Sequence, residues 1–284
     1  MPLVEVVTQP QSSDAAITRA VNFVKAIGKT PVVVKDGPGF LVNRLLLPQF
    51  AEAGYLLEEG HRITNVDRAM KKFGMPMGTF ELLDEIGLDV GLKVSHILHA
   101  SLGEHYRPAD AISNLVERSK KDSQPRFGRK TGLGFYVWDS PGGKRLQPDQ
   151  EKIDALVFQN GSRKSPPEFT DEAIVRRLVF PMINEAARIL AEKLVDEPAQ
   201  IDLAMIFGTG FPPFRGGLLK YADSVGLENI VAELDRLAKA HGSRLAASEA
   251  LKALAKGPGK FYALVKDVHR DAAKSKNARP EQLY

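Results

Sequence analysis

The sequence predicts a mainly α-helical protein of 284 residues, in which two tandem helical domains follow a short β-α-β unit. Three observations support this fold class. Two short runs rich in Val flank a stretch with helical periodicity near the start of the chain. From about Phe40 onward, apolar residues recur at helical spacing. The helical part also contains an internal repeat.

The β-α-β unit is predicted from the strand-like runs at residues 3–7 and 31–34. Between them, the run Ser12-Ser13-Asp14 offers an N-cap, and Gly28 is a natural helix stop. Parallel sheets usually contain more strands and are covered on both faces. We therefore interpret residues 1–36 as the end of a larger α/β domain. A small unit packed on the helical body is the alternative.

The internal repeat begins with a shift of 133 residues. Residues 42–48 match residues 175–181, and each segment carries a Pro inside a long apolar helix, where Pro kinks the helix. The later matches, in the same order, are 66–70 with 201–205, 74–76 with 210–212, 84–88 with 223–227, and 134–136 with 260–262. Two such units predict a face-to-face pair around a pseudo-two-fold axis.

The repeat sets the predicted domain boundaries. They are a β-α-β unit at 1–36, a first helical repeat at 37–138, a linker at 139–169, a second helical repeat at 170–265 and a flexible tail at 266–284. The linker is rich in Pro, Gly, Ser and Lys, with one short helix expected near residues 150–159. Within the first repeat, Thr64 to Asp67 resembles a capping box.

Composition excludes several classes of function. The chain has no Cys, which excludes disulfides, thiolate catalysis and Cys-ligated metals. It has no apolar run long enough to span a membrane, and its start does not resemble a signal peptide. The net charge of +4 is mildly basic and favours anionic small molecules. Because the basic residues are dispersed, nucleic acid is not an expected partner.

Two polar residues are candidates for a site. Glu5 is a carboxylate in a strand otherwise made of Leu and Val, so it either orients a His or Lys from elsewhere or lies on the exposed face of an edge strand. Asn43 follows the turn Gly37-Pro38-Gly39 at the start of a helix, where free N–H groups gather. It is either a ligand-binding amide, able to donate and accept, or a surface residue after a helix-entry turn.

Other polar clusters are less specific. The basic, Gly-rich segment 126–136 is either a phosphate-binding loop or a solvated loop. His96, His99 and His105 lie near one helix, but no H-E-x-x-H motif or acidic third ligand accompanies them. We therefore expect no metal site. A serine nucleophile is also unexpected, since the G-x-S-x-G motif is absent.

Several motifs together resemble L-3-hydroxyacyl-CoA dehydrogenase. The segments that carry this resemblance are 3–6, 28–32, 36–45, 74–78 and 130–136. The second repeat, through 208–217, is similar to the C-terminal part of the multifunctional fatty-acid oxidation α-subunit. The resemblance runs from Pro2 to about Tyr262.

The resemblance implies a fold and a reaction. It implies that the β-α-β unit is a remnant of a Rossmann domain, and that each helical repeat is like the C-terminal domain of 6-phosphogluconate dehydrogenase. The family oxidises the 3-hydroxyl of an acyl-CoA, with NAD as hydride acceptor and a His as general base. That His belongs to an H-F-F-N-P segment that this sequence does not contain. The glycine-rich dinucleotide loop is also absent from it.

The resemblance also implies roles for four residues. Glu5 matches the carboxylate that pairs with the catalytic His, and Asn43 matches an amide that contacts the substrate near the reacting centre. Tyr221 matches a second-repeat Tyr that lines the substrate site, and Lys130 matches a Lys that reaches NAD. In one-repeat relatives the helical domain dimerises, and here the second repeat is expected to replace that partner.

The expected function is therefore the substrate-binding and pairing region of a 3-hydroxyacyl-CoA dehydrogenase in fatty-acid β-oxidation. Its expected partners are acyl-CoA, the missing Rossmann and hydratase portion in cis or in trans, and a thiolase subunit. We expect a cytoplasmic location in a bacterium, and a mitochondrial or peroxisomal one in a eukaryote. The alternative is a non-catalytic helical module that binds acyl-CoA or acts as a scaffold.

Overall fold

The computed structural model describes residues 1–121, 124–158 and 169–263. The tail predicted at 266–284 lies outside the described residues, as does 159–168 of the predicted linker. The predicted mainly helical fold class is confirmed. Four strands in two small sheets accompany the helices in the described part of the chain.

The predicted β-α-β unit is present at the start. Strand β1 (Leu3–Thr8) and strand β2 (Thr30–Lys35) pair in parallel, with Leu3 opposite Thr30, and helix α1 (Asp14–Ala26) connects them. Within the described residues this sheet has only these two strands. Parallel sheets usually contain more strands than these two.

Helix α1 begins and ends where the sequence predicts. The Ser13 hydroxyl accepts a hydrogen bond from the Ala16 N–H, and Gly28 adopts φ +73° just after the helix. The amphipathic pattern does not bury the whole face, however. Phe23 and Ile27 are 64% and 52% exposed. Exposed apolar side chains of this size indicate that the outer face of α1, which points away from the sheet, packs against a further covering group.

The two helical repeats have the same order of elements. The first contains α2 (Val42–Glu58), α3 (Ile63–Phe73), α4 (Thr79–Ile86), α5 (Leu88–Leu102) and α6 (Asp110–Lys121). After a short helix α7 (Gln150–Val157), the second contains α8 (Asp171–Ala191), α9 (Pro198–Thr209), α10 (Leu218–Val225), α11 (Leu227–His241) and α12 (Glu249–Lys256). Each helix of the first repeat thus has a counterpart in the second.

A small antiparallel hairpin differs from the sequence prediction, which placed no strand after Phe40. Strand β3 (Tyr136–Trp138) pairs with strand β4 (Arg145–Pro148), and β4 lies inside the segment predicted as linker. The short helix expected in that segment is α7. These strands are too short to show the two-residue alternation that reveals a strand in a sequence.

Asp67 stabilises a connection between distant elements rather than its own helix. Its carboxylate accepts hydrogen bonds from the Phe80 and Glu81 N–H groups (2.9 and 3.1 Å) and from the Tyr136 hydroxyl (2.8 Å). The capping box expected for α3 is therefore wrong. The carboxylate satisfies free N–H groups at the start of α4 instead.

The second repeat reproduces this arrangement. The counterpart, Asp202, accepts from the Leu219 N–H (2.6 Å), the Lys220 N–H (3.2 Å) and the Tyr262 hydroxyl (2.7 Å). A second carboxylate in each repeat supports the same aromatic segment, since Asp84 accepts the Tyr136 N–H and Asp223 accepts the Tyr262 N–H. The two copies of the internal repeat therefore share the same buried hydrogen bonds as well as the same spacing of apolar residues.

The two repeats are joined by reciprocal ion pairs between α2 and α8. Arg44 donates to Glu185 at 2.7 Å and to both oxygens of Glu192 at 2.6 and 2.9 Å. Arg177 donates to Glu52 at 2.5 Å and to both oxygens of Glu59 at 2.8 and 3.2 Å. Every residue of one set is 133 positions from its counterpart in the other. The Arg side chains are 3% and 0% exposed.

The turn after α3 and the turn after α9 pack against each other. A Cβ placed on Gly74 would lie 2.9 Å from the Pro212 ring, and one placed on Gly210 would lie 2.7 Å from the Pro76 ring. Both Gly residues have positive φ, so a side chain there would meet backbone strain as well as the neighbouring repeat. The reciprocal ion pairs and the packing of these two turns show the face-to-face pairing that the sequence predicts.

We predict that Arg177→Met lowers the free energy of unfolding by about 3 kcal/mol or more, because it leaves the Glu52 carboxylate buried without this partner. Denaturant unfolding monitored by circular dichroism measures the change. Adding Glu52→Gln should recover part of it. The control is Arg236→Gln, at an ion pair whose Arg side chain is 60% exposed, with an expected loss of about 0–1 kcal/mol. Equal losses in the two single variants would contradict the proposed dominance of the buried pair.

We also predict a stability loss on raising the pH from about 4 to about 6. Burial raises the pKa of Asp67 and that of Asp84 to about 6, despite the hydrogen bonds they accept. The folded state therefore holds protons that the unfolded state releases, so the free energy of unfolding falls as the pH rises through this window.

The contribution is at most about 3 kcal/mol per carboxyl. Urea unfolding across the window measures the slope, which Asp84→Asn should make shallower and the exposed-site variant Asp14→Asn should leave unchanged. A slope in Asp84→Asn as steep as in the parent chain would contradict the assignment.

Candidate active site

The turn before α2 has an unusual backbone. Gly39 has φ +75°, and a Cβ there would lie 2.9 Å from the Leu98 side chain. Phe40 follows with φ +51°, a left-handed conformation that non-Gly residues rarely adopt, and its side chain is 40% exposed. Strained residues of this kind cluster at functional sites, where the surrounding structure fixes them.

Glu5 lies at the N-terminus of α2. One carboxylate oxygen accepts the Leu41 N–H at 2.8 Å and the other accepts the Val42 N–H at 3.3 Å. Leu41 occupies the N-cap position and has no polar side chain, so Glu5 provides the cap from strand β1. The half-buried carboxylate therefore faces the helix rather than bulk solvent. Burial raises its pKa, and the two backbone hydrogen bonds oppose the rise.

Asn43 is the second residue of α2 and is exposed. It directly follows Val42, whose N–H binds Glu5. The structure thus brings Glu5 and Asn43 to one end of one helix. At this end the Glu5 carboxylate lies against the positive end of the helix dipole, and the exposed Asn43 amide is in the same helical turn. The first repeat alone has this arrangement, because the counterpart of Asn43 is Arg176, which pairs with Glu172.

Lys130 lies elsewhere on the first repeat. Its ammonium group is 2.5 Å from the Asp89 carboxylate and 5.7 Å from the centre of the Phe127 ring. Asp89 is at the start of α5, whereas Leu98, which packs under Gly39, is nine residues further along that helix. Nine helical residues span about 13 Å. The structure therefore does not bring Lys130 to Glu5.

Tyr221 lies at the junction of the two repeats. Its ring packs edge-on against Phe73 with centroids 5.1 Å apart, and the Arg215 guanidinium is 5.2 Å from its centre. Burial raises the pKa of Tyr221, and the charges of Arg215 and Arg176 oppose this. Among the described residues, no hydrogen bond, ion pair or ring contact joins Tyr221 to Glu5 or Asn43.

Sequence reasoning missed Arg215. Its Nε donates to the Phe73 carbonyl at 3.0 Å, and its guanidinium lies 4.1 Å from the centre of that ring. Arg215 thus binds the C-terminal end of α3 across the repeat junction. The sequence did contain a signal for it, which is an insertion in the second repeat. Gly210 is eight residues from the start of α10, whereas the equivalent Gly74 is five residues from the start of α4.

The remaining polar clusters have internal partners. In the basic segment, Arg126 binds the Gly134 carbonyl and Asp149, and Arg129 pairs with Glu85 at 3.0 Å. This favours a structural role over a phosphate-binding loop. The described residues contain no group of three or more His, Asp or Glu side chains placed to hold a metal ion.

Two family models match parts of the sequence. A family model for the C-terminal domain of 3-hydroxyacyl-CoA dehydrogenase matches residues 39–138 and 174–260, which is more than half of the chain. The chain belongs to the 3-hydroxyacyl-CoA dehydrogenase family. The model for the NAD-binding domain of this family matches residues 1–37, which confirms that only a small part of that domain is present in this sequence.

The chain is similar to parts of longer proteins. It is 40% identical over 262 residues to the fatty acid oxidation complex subunit alpha of Shewanella loihica, and 40% identical over 263 residues to that of Idiomarina loihiensis. Each match covers 92% of this chain and 35% of the relative. The chain therefore spans about a third of the length of these relatives.

Two solved structures share the fold. A 3-hydroxybutyryl-CoA dehydrogenase from Escherichia coli has a TM-score of 0.71 at 22% identity, covering 95% of this chain and 69% of that one. The dehydrogenase part of a Caenorhabditis elegans multifunctional enzyme has a TM-score of 0.62 at 23% identity, covering 89% of this chain and 56% of that one. The likeness of each repeat to 6-phosphogluconate dehydrogenase and the domain boundaries stay predictions.

No helix in the ranges 1–121, 124–158 and 169–263 combines the length and the apolar character that crossing a membrane requires.

We predict that Glu5→Ala lowers the free energy of unfolding by about 1–2 kcal/mol, because the Leu41 and Val42 N–H groups lose their acceptor. Thermal and urea unfolding measure the change. The matched control is Glu249→Ala, which removes an acid of 92% exposure from the first turn of α12. A loss in Glu5→Ala no larger than in the control would show that the carboxylate does not hold the helix end.

Proposed function

We propose that this chain is the substrate-binding and pairing region of an enzyme that oxidises L-3-hydroxyacyl-CoA to 3-oxoacyl-CoA with NAD in fatty-acid β-oxidation. The observation that carries the proposal is the Glu5 carboxylate at the start of α2, next to the exposed amide of Asn43. Membership of the dehydrogenase family gives this geometry a chemical context.

In this proposal Glu5 is a positioning residue. Its two hydrogen bonds to α2 fix the carboxylate, so that a remaining lone pair can accept the ring N–H of a His supplied by the missing α/β portion. An acceptor at one ring nitrogen fixes the tautomer in which the other nitrogen can take a proton from the substrate hydroxyl. NAD, when bound, accepts the hydride from C3 of the substrate.

Asn43 is proposed to contact the substrate near the reacting carbon. Its side chain offers an amide N–H₂ donor and a carbonyl acceptor from the first turn of α2. The donor can hydrogen-bond the oxygen on C3, which gains carbonyl character as the hydride leaves. Tyr221 is proposed to line the substrate site, and Lys130 to reach the cofactor once its pairing with Asp89 opens.

The residues present do not make an NAD site by themselves. A dinucleotide site needs a glycine-rich turn against a helix N-terminus, at the edge of a larger parallel sheet. The described sheet has two strands, and neither is followed by such a turn. We therefore assign the cofactor site to a portion supplied in cis or in trans. The exposed Phe23 and Ile27 of α1 support an additional covering layer.

The second repeat is proposed to replace a dimer partner. The exchanged ion pairs of Arg44 and Arg177 form the kind of self-complementary contact that a two-fold dimer has, here within one chain. The wider assembly, with a hydratase portion and a thiolase subunit, and a cytoplasmic location remain part of the proposal.

The test is binding of acetoacetyl-CoA to the purified chain by isothermal titration. We predict that Asn43→Ala weakens the affinity by about tenfold, the effect of losing one hydrogen bond. The matched control is Arg176→Ala at the counterpart position in the second repeat, which should bind as the parent chain does. Equal weakening in both variants would remove Asn43 from the site.

Catalytic incompleteness separates the proposal from the scaffold alternative. With 3-hydroxybutyryl-CoA and NAD, the purified chain should form no NADH, and adding the family's NAD-binding domain as a fusion should start NADH formation. Binding of acetoacetyl-CoA without turnover in such fusions would favour the non-catalytic module. NADH formation by the chain alone would contradict the proposal.

A further inference from the structure

Arg215 and Tyr221, at the junction of the two repeats, carry hydrogen-bond donors without a partner in the described part of the chain. The Nε of Arg215 donates to the Phe73 carbonyl, but no described residue accepts from its two terminal nitrogens. The Tyr221 hydroxyl has no partner there either, although both side chains are half-buried. Unpaired donors that are partly removed from water cost free energy, so they indicate a ligand that accepts hydrogen bonds.

Aromatic rings surround the Arg215 guanidinium. Its centre lies 4.1 Å from the centre of the Phe73 ring, and 5.2 Å from the centres of the Phe214 and Tyr221 rings. The hydrogen bond from Nε fixes the orientation of the group, and the rings replace water on its faces. A planar guanidinium that is already oriented loses little further freedom on binding, and its remaining N–H groups match the oxygens of an oxyanion.

The charges at this junction favour an anion. Among the described residues Arg215 has no carboxylate partner, whereas the nearby Arg176 pairs with Glu172. Burial raises the pKa of Tyr221, and the charges of both Arg residues lower it, which shows that both act on its hydroxyl. The acid that acts on this hydroxyl is Glu172, which Arg176 already neutralises. The charge of Arg215 therefore stays uncompensated beside a free donor.

The second repeat has both groups and the first repeat has neither. Arg215 ends a short 3-10 helix at Pro213–Arg215, in a turn that is three residues longer than its counterpart in the first repeat. The counterpart of Tyr221, 139 positions earlier, is Leu82, whose side chain has no polar group. Because the first repeat folds without these groups, the fold of a repeat does not require them. This difference favours a role in binding.

We propose that Arg215 and Tyr221 form a phosphate-binding site at the junction of the two repeats. Two oxygens of the phosphate accept the terminal N–H groups of Arg215, and a third accepts the Tyr221 hydroxyl. A carboxylate has two oxygens, both of which the guanidinium occupies, so the additional donor favours phosphate. The Phe214 ring, which is 76% exposed beside the guanidinium, offers an apolar face to the compound that carries the phosphate.

The test is binding of inorganic pyrophosphate to the 284-residue chain, measured by isothermal titration and by NMR of the Arg215 Nε–H and of labelled Tyr rings. Pyrophosphate should shift the Arg215 and Tyr221 resonances. Arg215→Met should weaken the affinity by about tenfold or more, because charge-assisted hydrogen bonds are lost. The control is Arg236→Met, which removes the same charge from an exposed, paired Arg and should bind as the parent chain does.

Tyr221→Phe separates ligand binding from a structural role. It removes a hydroxyl without a partner, so the thermal stability should be equal or higher, while the affinity for pyrophosphate falls about three- to tenfold. The matched control is Tyr262→Phe, which removes a hydroxyl that donates to Asp202 at 2.7 Å. It should lower the thermal stability and leave the affinity unchanged.

Two sources of the phosphate are distinguished by acyl compounds. If coenzyme A supplies it, Arg215→Met weakens binding of acetoacetyl-CoA but not of acetoacetyl-pantetheine, which has no phosphate, and pyrophosphate competes with acetoacetyl-CoA. If a separate phosphate compound supplies it, pyrophosphate and acetoacetyl-CoA bind to the parent chain together. Either result supports the site.

The phosphate site and the proposed function fail on different measurements. Equal affinity for pyrophosphate in the parent chain, Arg215→Met and Tyr221→Phe would overturn the site, as would failure of the parent chain to bind pyrophosphate. The proposed function would stand, because it is tested through Asn43 and acetoacetyl-CoA. Binding of pyrophosphate without binding of acetoacetyl-CoA would overturn the proposed function and leave the site in place.

Discussion

The exchange of Arg44 and Arg177 between α2 and α8 is the constraint on which the rest of the structure depends. Each guanidinium is removed from water and pairs with carboxylates of the other repeat. Buried ion pairs add little net stability, yet they penalise any arrangement that leaves a charge unpaired. The pairs therefore specify how the two repeats face each other, while the apolar residues of the same helices supply most of the stabilisation. The start of α2, and with it the Glu5 contact, is positioned by this pairing.

The two repeats share their buried structural hydrogen bonds but differ in the exposed residues at the start of their first helix. The carboxylate networks of Asp67 and Asp202 are the same in both. By contrast, the second repeat has Arg176 at the position of Asn43. The first repeat carries an exposed amide at this helix start, and the second carries an ion pair between Arg176 and Glu172 at the same place. Structural residues and candidate ligand-binding residues can thus be told apart inside one chain.

The sequence predicted those elements whose signals are local. The β-α-β unit, the long helices and their repeat follow from residue spacing, and Glu5 was recognised as a charge that needs a partner. The partners themselves could not be read, since the Leu41 N–H lies 36 residues from Glu5 and Glu185 lies 141 residues from Arg44. Asp67 was misassigned because its local pattern fits a cap, although its bonds reach α4. Strands β3 and β4 were missed because they are too short to show periodicity.

Joining the two repeats in one polypeptide has a consequence for the pairing itself. In a dimer of identical subunits, every substitution appears twice and association depends on concentration. Here the connecting chain keeps the halves at a high effective concentration, and each half can change alone. A residue such as Arg215 can therefore arise in an insertion of one repeat and serve the other, without a reciprocal copy that would have to fit on the opposite side. When both repeats are in one chain, the contact between them no longer has to be symmetric. One repeat can then take a purely structural role while the other binds the ligand.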